Sequence, residues 1–174
     1  MKINMKFTAG IASLLIFFLA ADAQDLAKNK EGVHSAEILC TAISSDGAWI
    51  LTGGADKRAY LSDAKSGDKI KAFAFSASVT SCAFSASGKS FAVGTADGKL
   101  NIFDTKEQKL KKILKEHTLD ITSISFNPIN DFMVTSSKDN TAKVWDGIAG
   151  SSSFTIKVHA KPVNGAVFSP DGKT

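Results

Sequence analysis

The strongest constraint on the fold is internal repetition with a period of 41 or 42 residues, clearest in the copy that runs from His117 to Asp146. Two apolar residues and an aspartate recur at matching positions in each complete copy. The aligned sets are Ile38, Ile43 and Ser62-Asp63, then Val79, Phe84 and Phe103-Asp104, then Ile121, Phe126 and Trp145-Asp146, and a fourth copy begins with Val163 and Phe168. Repetition at this period predicts similar supersecondary units that stack on one another.

Turn residues divide each copy into short apolar runs. In the first copy, Ser44-Ser45-Asp46-Gly47 and Gly53-Gly54-Ala55-Asp56 separate three such runs. Asp-Gly and Gly-Gly pairs between apolar runs are strong hairpin signals, and four short strands at this period predict one blade of a β-propeller. The sequence therefore predicts an all-β fold of four-stranded antiparallel blades, with copies at residues 34–74, 75–116, 117–158 and 159–174. That amounts to about three and a half blades, and the last copy contributes the predicted strand Val163–Phe168.

Closed propellers have about four to eight blades, and each blade buries its faces against two neighbours. The strand Val163–Phe168 has no following strand in this sequence to cover it. We therefore expect residues 34–174 to be a portion of a longer array, or to close a ring with a second copy.

Residues 1–23 have the pattern of a secretory signal peptide. Lys2 and Lys6 precede an uncharged apolar run, Phe7–Ala21, and Ala21-Asp22-Ala23 resembles a small-x-small cleavage site. The run is about 15 residues long, whereas a membrane-spanning helix needs about 20. This pattern predicts a mature chain that begins at Gln24, is secreted or periplasmic, and has no membrane span once the signal is removed. Residues 24–33 are polar and predict a linker.

Export would place the two cysteines in a compartment where disulfides form. Cys40 lies two residues after Ile38 and Cys82 lies three residues after Val79, so the two occupy neighbouring repeat positions on opposite sides of a strand, in adjacent blades. A disulfide needs Cα atoms within about 7 Å, so we expect two free, mostly buried thiols instead.

The charge balance argues against a nucleic-acid partner. Residues 24–174 contain 19 Lys and Arg (21 less Lys2 and Lys6) and 16 Asp and Glu (17 less Asp22). Arg58 is the only arginine, whereas phosphate and base recognition draws heavily on the bidentate guanidinium. Lys109, Lys111, Lys112 and Lys115 fall on a predicted outer strand, where lysine discourages edge-to-edge pairing.

The repeated pattern resembles the WD40 repeat family: a histidine, an aliphatic residue four positions later, a strand ending in Phe-Ser-Pro-Asp-Gly, then an aspartate and a Trp-Asp pair. The resemblance implies a β-propeller in which each blade holds a structural hydrogen-bonded tetrad. In the third copy the tetrad falls on His117, Thr135, Asp139 and Trp145; the first keeps His34, Thr52 and Asp56, with Ser62 in place of tryptophan; the second keeps Asp97 among Phe75, Val93 and Phe103; the fourth offers His159.

All three histidines are thereby assigned to tetrads, which argues against chemistry at these residues. The sequence has no Gly-x-Ser-x-Gly nucleophile motif and no Cys-x-x-Cys or His-Glu-x-x-His spacing. We therefore predict a chain that is not an enzyme and that needs no metal or cofactor.

In the WD40 family, the loops at one end of the propeller commonly bind proteins or peptides. The matching candidates are Glu37, Ser78, Asp120 and Lys161 before the first strands, with Lys57 and Lys138 at the second hairpins. The alternative for each residue is a solvated loop position. The resemblance thus implies an exported, non-catalytic scaffold with an unidentified protein or peptide partner. Two alternatives remain: the recognition portion of a larger exported enzyme, and a propeller with chemistry in its central channel.

Overall fold

The computed structural model describes residues 34–130, 132–146 and 151–173. The predicted signal peptide and linker, residues 1–33, lie outside the described residues. The described parts of the chain contain twelve β-strands, and none of their residues forms a helix that is long and apolar enough to span a bilayer.

The strands form three four-stranded sheets in which sequence neighbours pair antiparallel, so the prediction of an all-β fold with four-stranded antiparallel blades is confirmed. The first blade comprises β1 (Ile38–Ile43), β2 (Trp49–Gly54), β3 (Arg58–Asp63) and β4 (Lys69–Ala74); the second comprises β5 (Val79–Phe84), β6 (Ser90–Thr95), β7 (Leu100–Asp104) and β8 (Leu110–Leu114); the third comprises β9 (Ile121–Phe126), β10 (Phe132–Ser137), β11 (Ala142–Asp146) and β12 (Ser152–Ile156).

The first hairpin of each blade is specified by local turn chemistry. In the first blade, Gly47 has φ 71° and donates its N–H to the Ser44 carbonyl at 2.9 Å. Asp46 accepts a hydrogen bond from the Ser44 hydroxyl at 2.6 Å, which closes the turn from its other side. Glycine adopts this left-handed backbone at little cost, and Gly88 takes the same position in the second blade with φ 68°.

The blades stack face to face on apolar side chains from their middle strands. Two buried clusters fill the two interfaces. Between the first and second blades lie Leu51, Leu61, Val79, Val93, Phe91 and Phe103, and between the second and third lie Leu100, Ile102, Ile121, Met133 and Trp145.

Small residues allow the inner strands of neighbouring blades to approach closely. A Cβ atom placed on Gly53 would lie 2.2 Å from Cγ1 of Val79 in the second blade. A Cβ atom placed on Gly94 would lie 2.8 Å from Cγ2 of Ile121 in the third blade. Both distances are far below van der Waals contact, so this position requires glycine in the first two blades. The third blade has Ser136 at the matching position.

Hydroxyl groups also connect the innermost strands. Thr80 on β5 donates its hydroxyl to the Ile121 carbonyl at 2.6 Å, and Thr122 on β9 donates to the Val163 carbonyl at 2.5 Å. The first blade has Leu39 at this position, so it lacks the matching bond. This repeated contact joins different blades, so the pattern within one repeat does not predict it.

The prediction of a strand at Val163–Phe168 is wrong: this segment lies beside β9 but forms no strand pairing. A strand requires a ladder of backbone hydrogen bonds with its neighbour, and this segment has none with the described strands. It is held instead by individual bonds to the third blade. Val163 donates its N–H to the Ser137 carbonyl at 3.1 Å, and Ala166 donates to Oγ of Ser123 at 3.1 Å.

The prediction that Cys40 and Cys82 are free thiols is confirmed, although the two side chains lie closer together than their positions on opposite sides of a strand suggested. Both thiols are free, and Cys82 is buried while Cys40 is partly exposed. Cys40 packs against the buried cluster that contains Cys82, and the Cys82 thiol donates to the Leu51 carbonyl of the first blade at 3.7 Å. Cys40 lies on the face of the first blade that packs against the second blade, and Cys82 lies on the face of the second blade that packs against the first.

Candidate functional site

The third blade holds a continuous hydrogen-bonded network of four buried or half-buried side chains. Trp145 donates its indole N–H to Thr135 Oγ1 at 2.8 Å, and this oxygen lies 2.8 Å from Nε2 of His117. On the other side of the ring, Nδ1 of His117 lies 2.8 Å from Oδ2 of Asp139. The structure therefore brings together the four side chains that the sequence grouped.

The donors and acceptors in this network determine the tautomer of the His117 imidazole. Indole can only donate, so the Thr135 hydroxyl accepts from Trp145 and donates to Nε2 of His117, which leaves the proton on Nδ1 facing Asp139. Burial lowers the pKa of His117, against the opposing effect of the Asp139 carboxylate. The ring is thus neutral at pH 7 and has no nitrogen left for a substrate or a metal.

The carboxylate of Asp139 also anchors two stretches of backbone. It accepts from the N–H of Thr118 at 3.1 Å, and from the N–H and hydroxyl of Thr141 at 3.0 and 2.6 Å. Burial would raise the pKa of Asp139, but the hydrogen bonds from Thr141, His117 and Thr118 together lower it to about 2. The carboxylate is therefore charged at neutral pH and joins the loop before β9 to the β10–β11 turn.

The first blade repeats this arrangement without the tryptophan. Nε2 of His34 lies 2.9 Å from Thr52 Oγ1, and Nδ1 lies 3.0 Å from Oδ1 of Asp56. At the tryptophan position stands Ser62, and Tyr60 on the same face of β3 packs edge-on against His34 with ring centroids 4.6 Å apart. Sequence comparison by position missed Tyr60, because the tyrosine lies two residues before the tryptophan position.

The second blade replaces most of the network with aromatic rings. Phe103 stacks on Phe91 with centroids 4.9 Å apart and meets Phe75 edge-on at 6.2 Å. Asp97 is retained, but it accepts hydrogen bonds from side chains other than histidine. These are the Thr95 hydroxyl at 2.6 Å, the Lys99 ammonium at 2.5 Å and the Ser76 hydroxyl at 2.8 Å. Burial would raise the pKa of Asp97, and these three hydrogen bonds outweigh it and hold the pKa far below its usual range.

The remaining predicted tetrad residue, His159, is exposed and lies apart from the other two histidines. Among the described residues, no three His, Cys, Asp or Glu side chains lie close enough to hold a metal ion.

A concave cup of about 480 Å³ lies on the inner strands of the three blades. Its walls are mainly apolar, with Ile43, Phe84, Ile124 and Phe126 among the lining residues, and no histidine or carboxylate contributes to them. The cup therefore offers no acid–base pair to a substrate.

The six predicted partner-facing residues lie at one edge of the blades, where the first strands begin and the second hairpins turn. We call this the upper edge; it comprises Glu37, Lys57, Ser78, Asp120, Lys138 and Lys161 with the loops that bear them. Three of these residues have matching backbone roles. The carbonyls of Glu37, Ser78 and Asp120 each accept an N–H from the hairpin of their own blade, at 2.8, 2.9 and 3.0 Å.

The side chains at the upper edge differ in exposure. Lys57, Lys161 and Glu37 are exposed, whereas Ser78 is half-buried and donates to the Ala55 carbonyl of the first blade at 3.3 Å. Lys138 pairs with Asp120 at 2.7 Å.

The turns at the upper edge share a left-handed residue that the sequence analysis did not identify. Lys57, Gly98 and Asn140 follow the three aspartates and have φ values of 63°, 77° and 67°. Because two of these residues are not glycine, glycine spacing alone could not reveal the repeat. The second hairpin of each of the three blades therefore has a left-handed residue directly after its aspartate.

Comparisons with known proteins agree with this architecture. Residues 28–172 match the family model described as nucleolar protein 10-like, N-terminal domain. The solved structure of U3-55K superposes with a TM-score of 0.73 at 21% identity, over 77% of this chain and 42% of that one. The crystal structure of the RRP9 WD40 repeats gives a TM-score of 0.72, also at 21% identity. The predicted β-propeller fold is thereby confirmed.

Curated relatives align with this chain over part of their length. DNA damage-binding protein 2 of Bos taurus is 35% identical over 130 residues, which cover 70% of this chain and 30% of that protein. Eukaryotic translation initiation factor 3 subunit I of Homo sapiens is 32% identical over 93 residues, which cover 53% of this chain and 28% of that protein. The chain thus spans less than a third of the length of these two relatives.

Proposed function

We propose that this chain, which belongs to the nucleolar protein 10-like N-terminal domain family of WD40 β-propellers, is an exported, non-catalytic scaffold that binds a protein or peptide partner at its upper edge. Membership of that family confirms the WD40 resemblance. Repeat propellers present rigid loops on a stacked core, which suits them to recognition rather than to chemistry.

The observation that carries the proposal is the anchoring of all three upper-edge loops by one carboxylate per blade. Asp56, Asp97 and Asp139 each bond the loop before the first strand to the second hairpin. The contacts are Ser35 N–H to Asp56 at 3.1 Å, Ser76 hydroxyl to Asp97 at 2.8 Å and Thr118 N–H to Asp139 at 3.1 Å. A surface that is already ordered loses little conformational entropy on binding, so rigid loops favour affinity.

The charges at the upper edge favour a partner with acidic groups. Lys57 and Lys161 are exposed and form no ion pair among the described residues, while Lys138 is shared with Asp120. Glu37 is the one exposed acidic residue among the six candidates. The three anchoring carboxylates are occupied by their own blades, so the lysines dominate the charge that is available to a ligand.

Export rests on residues 1–23, where a basic start, an apolar run and a small-x-small site follow one another. The partner is therefore expected in the periplasm or outside the cell. The single arginine of the chain supports a protein partner over nucleic acid.

The proposal is tested by capture with charge-reversal variants. The Lys57→Glu, Lys138→Glu, Lys161→Glu triple variant and the wild type are immobilised and exposed to periplasmic and culture-supernatant extracts, and bound proteins are cross-linked and identified. We expect the wild type to capture a partner whose cross-links fall on the upper-edge loops, and the triple variant to lose it.

A matched control changes the same number of exposed lysines at the opposite edge, with Lys65→Glu, Lys89→Glu and Lys106→Glu. Circular dichroism verifies that both triple variants fold. Capture that survives the upper-edge changes, or that is lost only in the control, would contradict the proposed binding surface.

A further inference from the structure

The only two cysteines of the chain converge on one short stretch of β2. Cys40 on β1 pairs with Gly53 on β2. Its Sγ atom is 2.7 Å from the place where a Cβ atom of Gly53 would lie, and Val79 of the second blade is 2.2 Å from that same place. The Cys40 thiol therefore points out of the first blade toward the second.

Cys82 approaches the same stretch from the second blade. Its Sγ atom lies 3.7 Å from the carbonyl oxygen of Leu51, to which the thiol donates. Leu51 and Gly53 are two residues apart on β2, so both sulfur atoms lie over the same few ångströms of one strand. The nearby Cys40 side chain and burial both raise the pKa of the Cys82 thiol.

The stacking of the blades explains why the two thiols meet. The repeat counterpart of Cys40 in the second blade is Ser81, whose Oγ atom lies 2.6 Å from the place where a Cβ atom of Gly94 would lie. Cys82 follows Ser81 and projects from the opposite face of β5, back toward the first blade. The forward-facing position of one blade thus meets the backward-facing position of the next, and at this interface both positions are cysteine.

We propose that Cys40 and Cys82 are a modification site, at which exchange with a small-molecule disulfide such as oxidised glutathione forms a covalent bond between the first and second blades. This inference rests on the positions of the two thiols and is independent of the proposed function. It applies to any oxidising compartment in which the chain resides.

The exchange proceeds in two balanced steps. The sulfur of Cys40, which is the more exposed of the two, attacks one sulfur of the small disulfide and releases one small thiol. The sulfur of Cys82 then attacks the Cys40 sulfur of this mixed disulfide and releases the second small thiol. The protein loses two protons and two electrons, and the small disulfide gains them as two thiols.

The new bond closes a loop of 43 residues, Cys40 and Cys82 included, which restricts the unfolded chain. Stabilisation by a disulfide of this loop length corresponds to a rise in melting temperature of roughly 5–10 °C for a chain of this size. The bond also holds the blade interface together where β1 lacks the threonine contact of the later blades.

The full chain is purified reduced, incubated with oxidised glutathione, unfolded in the presence of iodoacetamide and digested for mass spectrometry. We expect a linked pair of peptides that contain Cys40 and Cys82, and a melting temperature that rises on oxidation and falls again when the sample is reduced. Cys40→Ala removes the partly exposed partner and keeps the buried one, so this variant should fold and show neither effect.

Four results would overturn the proposal. The first three are alkylation of both thiols by iodoacetamide after the oxidation step, separate glutathione adducts on the two cysteines without a linked peptide, and linkage only between different chains on a non-reducing gel. An oxidation-dependent rise in melting temperature of equal size in Cys40→Ala would also overturn it, because that variant cannot form the bond.

Discussion

Replacing Asp139 by alanine should destabilise the chain because it removes the carboxylate that accepts the buried Nδ1–H of His117. The carboxylate accepts from Thr118, Thr141 and His117. Thr118 is exposed and Thr141 half-exposed, so their donors can turn to water, whereas the His117 ring is 3% exposed and its Nδ1–H would keep only the longer contact to Thr141 Oγ1 at 3.3 Å. An unsatisfied buried donor costs about 1–3 kcal/mol, so we expect Asp139→Ala to lower the free energy of unfolding by about 2 kcal/mol.

Asp97→Ala is the matched comparison in the second blade, and it should cost less than about 1 kcal/mol. Ser76 is exposed and Lys99 partly so, which lets both rebind to water. The Thr95 hydroxyl already has a second acceptor, the Lys99 carbonyl at 3.1 Å. No buried donor is left without a partner.

Urea unfolding followed by far-ultraviolet circular dichroism measures both losses on the same scale. The ratio of the two losses in unfolding free energy is more informative than either loss alone, since errors of extrapolation to zero urea affect both variants alike. Equal losses at the two aspartates, or a larger loss at Asp97, would show that burial of the histidine donor does not control the cost.

The Asp139 carboxylate also predicts a pH dependence of stability, because its pKa is about 2 in the folded chain and 3.8 in the free group. Its contribution to the free energy of unfolding is therefore complete above about pH 4 and is lost as the pH falls through about 2. The difference in unfolding free energy between wild type and Asp139→Asn should therefore shrink between pH 4 and pH 2, and a constant difference in acid titrations would contradict this. At the blade interface, Gly94→Ala should cost about 1–3 kcal/mol in thermal or urea unfolding, because the new methyl group overlaps Ile121, whereas Gly165→Ala has open space and should change little. For the N-terminus, intact-mass measurement of exported protein should give a chain that begins at Gln24, and recovery of an intact Met1 would rule out cleavage.

The strands and turns were predictable because they depend on residues that are close in sequence. Gly47 and Gly88 supply the left-handed turns of the first hairpins, so the blade boundaries follow from local chemistry. The four side chains around His117 were found by position in the repeat, and their hydrogen bonds follow from a register that the turns determine. The roles of these residues and of the upper-edge candidates remain predictions.

Contacts between blades were not predictable from one repeat considered alone. The Thr80 hydroxyl reaches a carbonyl of the next blade, and the thiols of Cys40 and Cys82 meet only because the blades stack face to face. The segment Val163–Phe168 matches the first strands of the earlier copies by position in the repeat, but strand pairing depends on a neighbour that the described residues do not supply. Sequence periodicity indicates which residues share a blade face, and it leaves open which residue of the next blade each will touch.

The position occupied by Gly53, Gly94 and Ser136 has a consequence for the curvature of the array. Here the inner strand of the next blade touches backbone, so the size of this one side chain limits how closely successive inner strands approach while the outer strands stay apart. The difference between the spacing of the inner strands and the spacing of the outer strands sets the angle by which each blade is rotated relative to the one before it. A methyl group at this position would widen the inner radius and reduce that angle, so the size of one buried residue affects how many blades complete a circle.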